Sequence, residues 1–212
     1  MTANMIDRFL EVFIPLFIIV NPASTLALFS VITRRSSKKE RVHTARNASI
    51  YAAILLIIFA VAGSSILAYL GIEIYSLRIA GGILLGFVGL DMLRRGEQFG
   101  ESPPDKEHKA DYALVPLALP SLSGPGAITI TIVSIQNPDI QWWMVVIAII
   151  LTMIITFIIF MSSVIIIKIL GRKGMDALTR VMGLLTVAIA VQFALTGFAR
   201  WFSTFLPIIF SF

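Results

Sequence analysis

The run Pro15-Leu16-Phe17-Ile18-Ile19-Val20-Asn21-Pro22-Ala23-Ser24-Thr25 decides how this chain folds, because it places a helix-breaking pair inside an apolar segment. From Val12 to Thr33 there is no Asp, Glu, Lys or Arg, and a helix needs ~20 largely apolar residues to cross ~30 Å of hydrocarbon. The span expected from about Phe9 to Ile32 has Asn21-Pro22 at its middle, which is the bilayer midplane. Proline has no N–H and clashes with the preceding turn, so it opens the helix there. The released polar groups cost several kcal/mol each if lipid faces them. The sequence therefore predicts a first span broken at mid-depth, with the break turned toward protein or a cavity.

Outward from this run, four more charge-free segments follow: Asn47 to Ile72, Tyr112 to Pro138, Ile140 to Ile167 and Val181 to Ala199. A sixth span, Ile74 to Leu93, carries Arg78 and Asp91 only near its ends, where long side chains reach the interface. With 58% hydrophobic residues and a mean hydropathy of +0.92, the 212-residue chain has a membrane composition. An N-terminal leader is the alternative for the first segment, since Arg8 precedes it and Ala23 and Ser24 follow. Glu11 inside it and renewed apolar character at Leu26 to Ile32 favour one uncleaved span. Cysteine is absent and the two histidines, His43 and His108, fall in polar loops. Thiolate or histidine metal sites within the membrane and haem or redox chemistry are excluded on that ground. No nucleophile–base set suggests an enzyme. The net charge of +5 sits in loops, which removes the case for nucleic acid.

Fourteen of the seventeen Lys and Arg fall in the first, third and fifth loops, leaving only Arg8, Arg78 and Arg200 for the opposite face. That excess marks the cytoplasmic side and puts both termini outside. The charged stretch with Pro103 and Pro104 is a cytoplasmic linker, 94–112, between a first three-helix half, 1–93, and a second, 113–212. The halves resemble each other. Pro15-Leu16 and Asn21-Pro22-Ala23-Ser24 are matched by Pro116-Leu117 and Ser123-Gly124-Pro125-Gly126-Ala127, and Arg78 with Gly81 by Arg180 with Gly183. The offsets are 101 to 103 residues, in the same order. Three spans being odd, the second half enters the membrane upside down. The expected fold is an all-α membrane protein of six spans in a 3+3 inverted repeat, the first and fourth broken at the midplane.

Each break reads as a helix start: Asn21 as N-cap before Pro22, Gly124 before Pro125. Two N-termini would point N–H groups and positive dipole ends at the membrane centre, suiting a carboxylate. Carbonyls near Val20 and Leu122 would suit a cation or an ammonium group, so a zwitterion fits both. The candidate substrate-binding residues are Asn21, Pro22, Ala23, Ser24, Thr25, Ser121, Ser123, Gly124, Pro125, Gly126 and Gln192. A sodium site is expected near Asn21, Ser24 and Ser123. No carboxylate sits at that depth, Glu11 and Asp91 lying toward the span ends, which argues against divalent metals and polyamines. It also favours sodium over protons as coupling ion, with no other cofactor. Against these readings stand bland ones: proline kinks are common in membrane helices, Gly82 and Gly86 form a G-x-x-x-G suited to helix packing or a dimer contact, and Trp142 and Trp143 suit the interface.

Asn21-Pro22-Ala23-Ser24, the polar linker and Leu122-Ser123-Gly124-Pro125-Gly126-Ala127 together resemble the MarC family of bacterial and archaeal membrane proteins over nearly the whole chain. The resemblance implies six spans. For the transporter branch it implies uptake of glycine, alanine and similar neutral amino acids driven by an ion gradient. The expected partners are that substrate and membrane lipid, with a homo-oligomer left open. The rival readings are an amino-acid exporter or small-anion channel of the same architecture, or a membrane scaffold.

Overall fold

The computed structural model describes residues 4–33, 36–95 and 122–209. Within them the ordered elements are helices: α1 (Met5–Val20), α2 (Pro22–Ile32), α3 (Lys38–Tyr69), α4 (Ile74–Arg95), α5 (Pro125–Ile135), α6 (Trp142–Met161) and α7 (Ser163–Ile209). Five segments are long and apolar enough to cross a membrane: Met5–Ser30, Lys38–Tyr69, Ile74–Arg94, Trp142–Met161 and Lys173–Thr204. The expected fourth span is represented by α5 alone, 11 residues long and too short to cross by itself. Its first part, 113–121, lies outside the described residues, as do Arg34, Arg35, His108 and the linker from residue 96 onward.

Polar residues set the helix ends. Ser37 accepts from the Glu40 N–H at 3.3 Å while the Glu40 carboxylate accepts from the Ser37 N–H at 2.6 Å, a reciprocal capping box. It starts α3 well before the charge-free segment at Asn47, because the segment marks hydrocarbon, whereas Lys, Glu and Arg extend a helix readily in water. At the other end Gly71 takes φ +66°, and the N–H groups of Ile72 and Gly71 reach back to the carbonyls of Leu67 and Ala68 at 2.9 and 3.1 Å. That Schellman pattern closes α3 and turns the chain into α4. The expected fifth loop is largely helical: only Gly171, at φ 61° and ψ −176°, interrupts α7.

α4 and α7 run antiparallel in close contact. A Cβ on Gly82 would lie 2.7 Å from the Ala190 carbonyl oxygen, and one on Gly89 would lie 2.9 Å from the Gly183 carbonyl oxygen. One on Gly197 would lie 3.0 Å from the Tyr75 carbonyl oxygen. Lipid is as apolar as leucine, so helices gain by close backbone approach, and missing side chains provide it. Gly82 of the G-x-x-x-G thus serves packing within the chain. A second body, formed by α1, α3, α5 and α6, buries Leu16, Val20, Leu56, Ile130, Val145 and Ile149. There Phe29 stacks on Phe160 at 4.5 Å with the Arg41 guanidinium over its ring. Ile58, Val61, Phe87, Leu184 and Leu195 point outward, an apolar surface suited to lipid.

The helix ends sort onto two sides. Arg8 pairs with Asp139 at 3.4 Å on one, while Arg180 donates to the Leu93 carbonyl at 2.7 Å and Arg41 bonds Ser163 on the other.

Candidate functional site

Val20 ends α1 because the next two residues cannot extend it. Pro22 offers no N–H to the Ile18 carbonyl, and its ring drives the preceding residue out of the right-handed helical region. Asn21 answers with φ 47° and ψ 64°, the one left-handed conformation outside glycine among the described residues. Asparagine tolerates it because its short side chain bonds locally. The Asn21 N–H donates to the Phe17 carbonyl at 3.0 Å, completing α1, and its own carbonyl accepts from the Thr25 N–H at 3.3 Å, opening α2.

The side chain holds the same junction. Asn21 Oδ1 accepts from the Ser24 N–H at 3.4 Å, Nδ2 donates to Ser24 Oγ at 2.7 Å, and Nδ2 also approaches Met92 Sδ at 3.4 Å. Thr25 Oγ1 donates to the Asn21 carbonyl at 3.3 Å. The side chain therefore caps α2 as its sequence position suggests, but from a left-handed backbone and not the extended one that an N-cap normally has. Asn21, Pro22, Ser24 and Thr25 are buried and Ala23 is half-buried.

The start of α5 follows a different local logic. Leu122 and Ser123 are buried, Gly124 is extended at φ −65° and ψ 171°, and Pro125 occupies the first helical position of α5. The Gly124 carbonyl accepts from the Ile128 N–H at 3.1 Å. Glycine has no side chain to cap with, so the N–H groups of Gly126 and Ala127 have no side-chain cap from that position.

The start of α5 lies beside the junction between α1 and α2. A Cβ on Gly126 would overlap Leu85 Cδ2 and come within 3.1 Å of Ile19 Cγ2, so only glycine lets the first turn of α5 sit on the last turn of α1. Thr129, one turn on, packs against Gly81. Helix α4 backs both: Leu85 meets α5, and Met92, two turns further along the same face, meets Asn21. The structure thus brings together Asn21, Ser24 and Thr25 directly, and Gly126 through Ile19. Gln192 is exposed on α7 and stands apart from this cluster, and Ser121 lies outside the described residues. Met92 and Leu85 had no polar signature to mark them; their spacing of seven on one span was the available signal.

The chemistry available is neutral. Amide, hydroxyl and backbone groups converge on the junction, and among the described residues no three His, Asp or Glu gather to hold a metal ion. Such a set can replace the hydration of a small zwitterion or a monovalent cation.

Comparison with known proteins adds the lineage. The family described as MarC family integral membrane protein matches residues 6–202. A UPF0056 membrane protein of Methanocaldococcus jannaschii is 40% identical over 199 residues, covering 91% of this chain and 96% of the relative. One of Archaeoglobus fulgidus is 37% identical over 203 residues, covering 93% and 95%. The UPF0056 inner membrane protein MarC of Citrobacter koseri is 31% identical over 220 residues, covering 95% and 100%. No solved structure matches.

Proposed function

The chain belongs to the MarC family of integral membrane proteins of the cell membrane, and on that premise we propose that it carries small neutral amino acids, glycine and alanine foremost, by ion-coupled secondary transport. The observation that carries this reading is the buried meeting of the junction between α1 and α2 with the start of α5, Ile19 against Gly126. In this reading α1 and α2 are the halves of a discontinuous first span, and α5 is the second half of a discontinuous fourth. The chain is then two inverted three-helix repeats, 1–93 and 113–212, joined by a cytoplasmic linker, with both termini outside. Paired residues in the sequence support it: Arg78 and Gly81 stand 102 residues before Arg180 and Gly183.

The substrate carboxylate docks at the uncapped N–H groups of α5, where the helix dipole adds to the attraction. Its ammonium meets the Ile18 carbonyl, which Pro22 cannot satisfy, and the Asn21 amide oxygen. Ala23 adds only a methyl group beside Asn21, in keeping with a small substrate. Asn21, Ser24 and Ser123 offer oxygens to sodium, and the missing carboxylate at that depth favours sodium over a proton. The protein acts as a carrier and performs no covalent chemistry.

Proteoliposomes with sodium and proton gradients imposed separately test this reading. Saturable, gradient-driven uptake of labelled glycine and alanine, competed by unlabelled small neutral amino acids, is expected. Efflux of preloaded alanine without uptake would instead make the protein an exporter. Unsaturable anion flux without countertransport would make it a channel, the reading that two positive helix ends also favour.

A further inference from the structure

Three arginines occupy the face opposite the fourteen other cations, and they are not equivalent. Arg8 pairs with Asp139 at 3.4 Å. Arg78 sits near the start of α4, half-buried, with Nε buried and without a hydrogen-bond partner. A Cβ on Gly197 would lie 3.2 Å from Arg78 Cβ, and Arg200 follows Gly197 by three residues, on the same face of α7. Arg200 thus stands about one turn beyond the point where α7 touches Arg78, which puts a second cation on the facing helix. Among the described residues no carboxylate forms an ion pair with either.

The matching arginine of the second half shows what is missing. Arg180 donates from Nε to Asp176 Oδ2 at 2.9 Å and from Nη1 to the Leu93 carbonyl at 2.7 Å. Its acid lies four residues earlier on the same helix. Four residues before Arg78 stands Ile74. One arginine carries its own counter-charge, while the other has an aliphatic side chain in that place and a second cation beside it.

Two arginines at one end of facing helices, one of them partly buried, are costly at a membrane boundary unless an anion completes them. Their planar forks match phosphate oxygens, and Tyr75, Trp201 and Phe202 beside them suit the level of lipid headgroups. We propose that Arg78 and Arg200 form a phosphate-binding site at the outer membrane boundary, occupied by the phosphodiester of an anionic lipid. The site is independent of the transported substrate.

Native mass spectrometry of the delipidated full chain tests it with phosphatidylglycerol, phosphatidylcholine and inorganic phosphate as probes. Wild type retains one phosphatidylglycerol that Arg200→Gln and Arg78→Gln bind about tenfold more weakly, the factor one charge-assisted hydrogen bond commands. Ile74→Asp, which installs the acid that Arg180 has, weakens retention while keeping both arginines. Arg46→Gln leaves it unchanged, since that exposed side chain lies on α3 and already bonds Asn47 Oδ1. Phosphatidylcholine, whose choline cancels the charge, is held less tightly. Displacement by millimolar inorganic phosphate would confirm the phosphate chemistry and refute the lipid as occupant. Undiminished phosphatidylglycerol retention in both Arg200→Gln and Ile74→Asp would overturn the site.

Discussion

Asn21 does two jobs, and substitutions can separate them. Glycine accepts φ 47° without strain but loses the bonds to Ser24, so Asn21→Gly should cost about 1 kcal/mol, the net worth of an ordinary buried hydrogen bond. Leucine loses the same bonds and adds about 1–2 kcal/mol for a left-handed backbone. Thermal unfolding in detergent is expected to rank wild type above Asn21→Gly and Asn21→Gly above Asn21→Leu; equal midpoints for the two variants would remove the backbone argument. At this scale the end of α1 was legible, because proline withdraws a donor wherever it stands. The left-handed backbone was not, since Asn before Pro also suits an extended N-cap. The choice between them depends on Met92 and the end of α1, contacts that no local pattern encodes.

The helices joined by close approach give the next set of expectations. A Cβ on Gly89 would meet the Gly183 carbonyl oxygen at 2.9 Å and Val187 Cγ2 at 2.7 Å, whereas one on Gly86 has Ala190 Cβ as its nearest neighbour at 3.9 Å. Gly89→Val should therefore destabilise by about 1–3 kcal/mol through overpacking, while Gly86→Ala is tolerated. Thermal unfolding of the two variants side by side checks this, and an undisturbed Gly89→Val would mean that α4 and α7 do not meet here. The apolar helices could be read directly, since hydrocarbon demands long charge-free segments. The G-x-x-x-G at Gly82 and Gly86 favoured close helix packing over a dimer contact but left the partner helix open, because one helix alone does not name its partner. The helical stretch from Lys168 to Arg180 was also hidden: its lysines and arginines, grouped by charge, read as a loop, although each is a good helix former.

For the whole molecule, the two-sided distribution of charge makes a topological prediction that the native chain is suited to test, having no cysteine. Lys39, in the first turn of α3, and Glu73, in the turn between α3 and α4, are both exposed. Lys39→Cys is expected to react with a membrane-impermeant thiol reagent only from the cytoplasmic side, and Glu73→Cys only from outside. Labelling of both from one side would refute the orientation. The repeat proposed on this topology rests on paired residues such as Arg78 and Arg180, whose surroundings differ.

Sodium-driven alanine uptake by Asn21→Gly beside wild type, in proteoliposomes with equal amounts of inserted protein, tests the central claim most directly. The variant keeps the backbone of the junction and removes only its side chain. Uptake should fall by at least about tenfold, the effect of losing one hydrogen bond to a charged group, while wild type shows saturable, gradient-dependent transport. Undiminished uptake by Asn21→Gly would contradict the account and place the substrate away from the junction between α1 and α2.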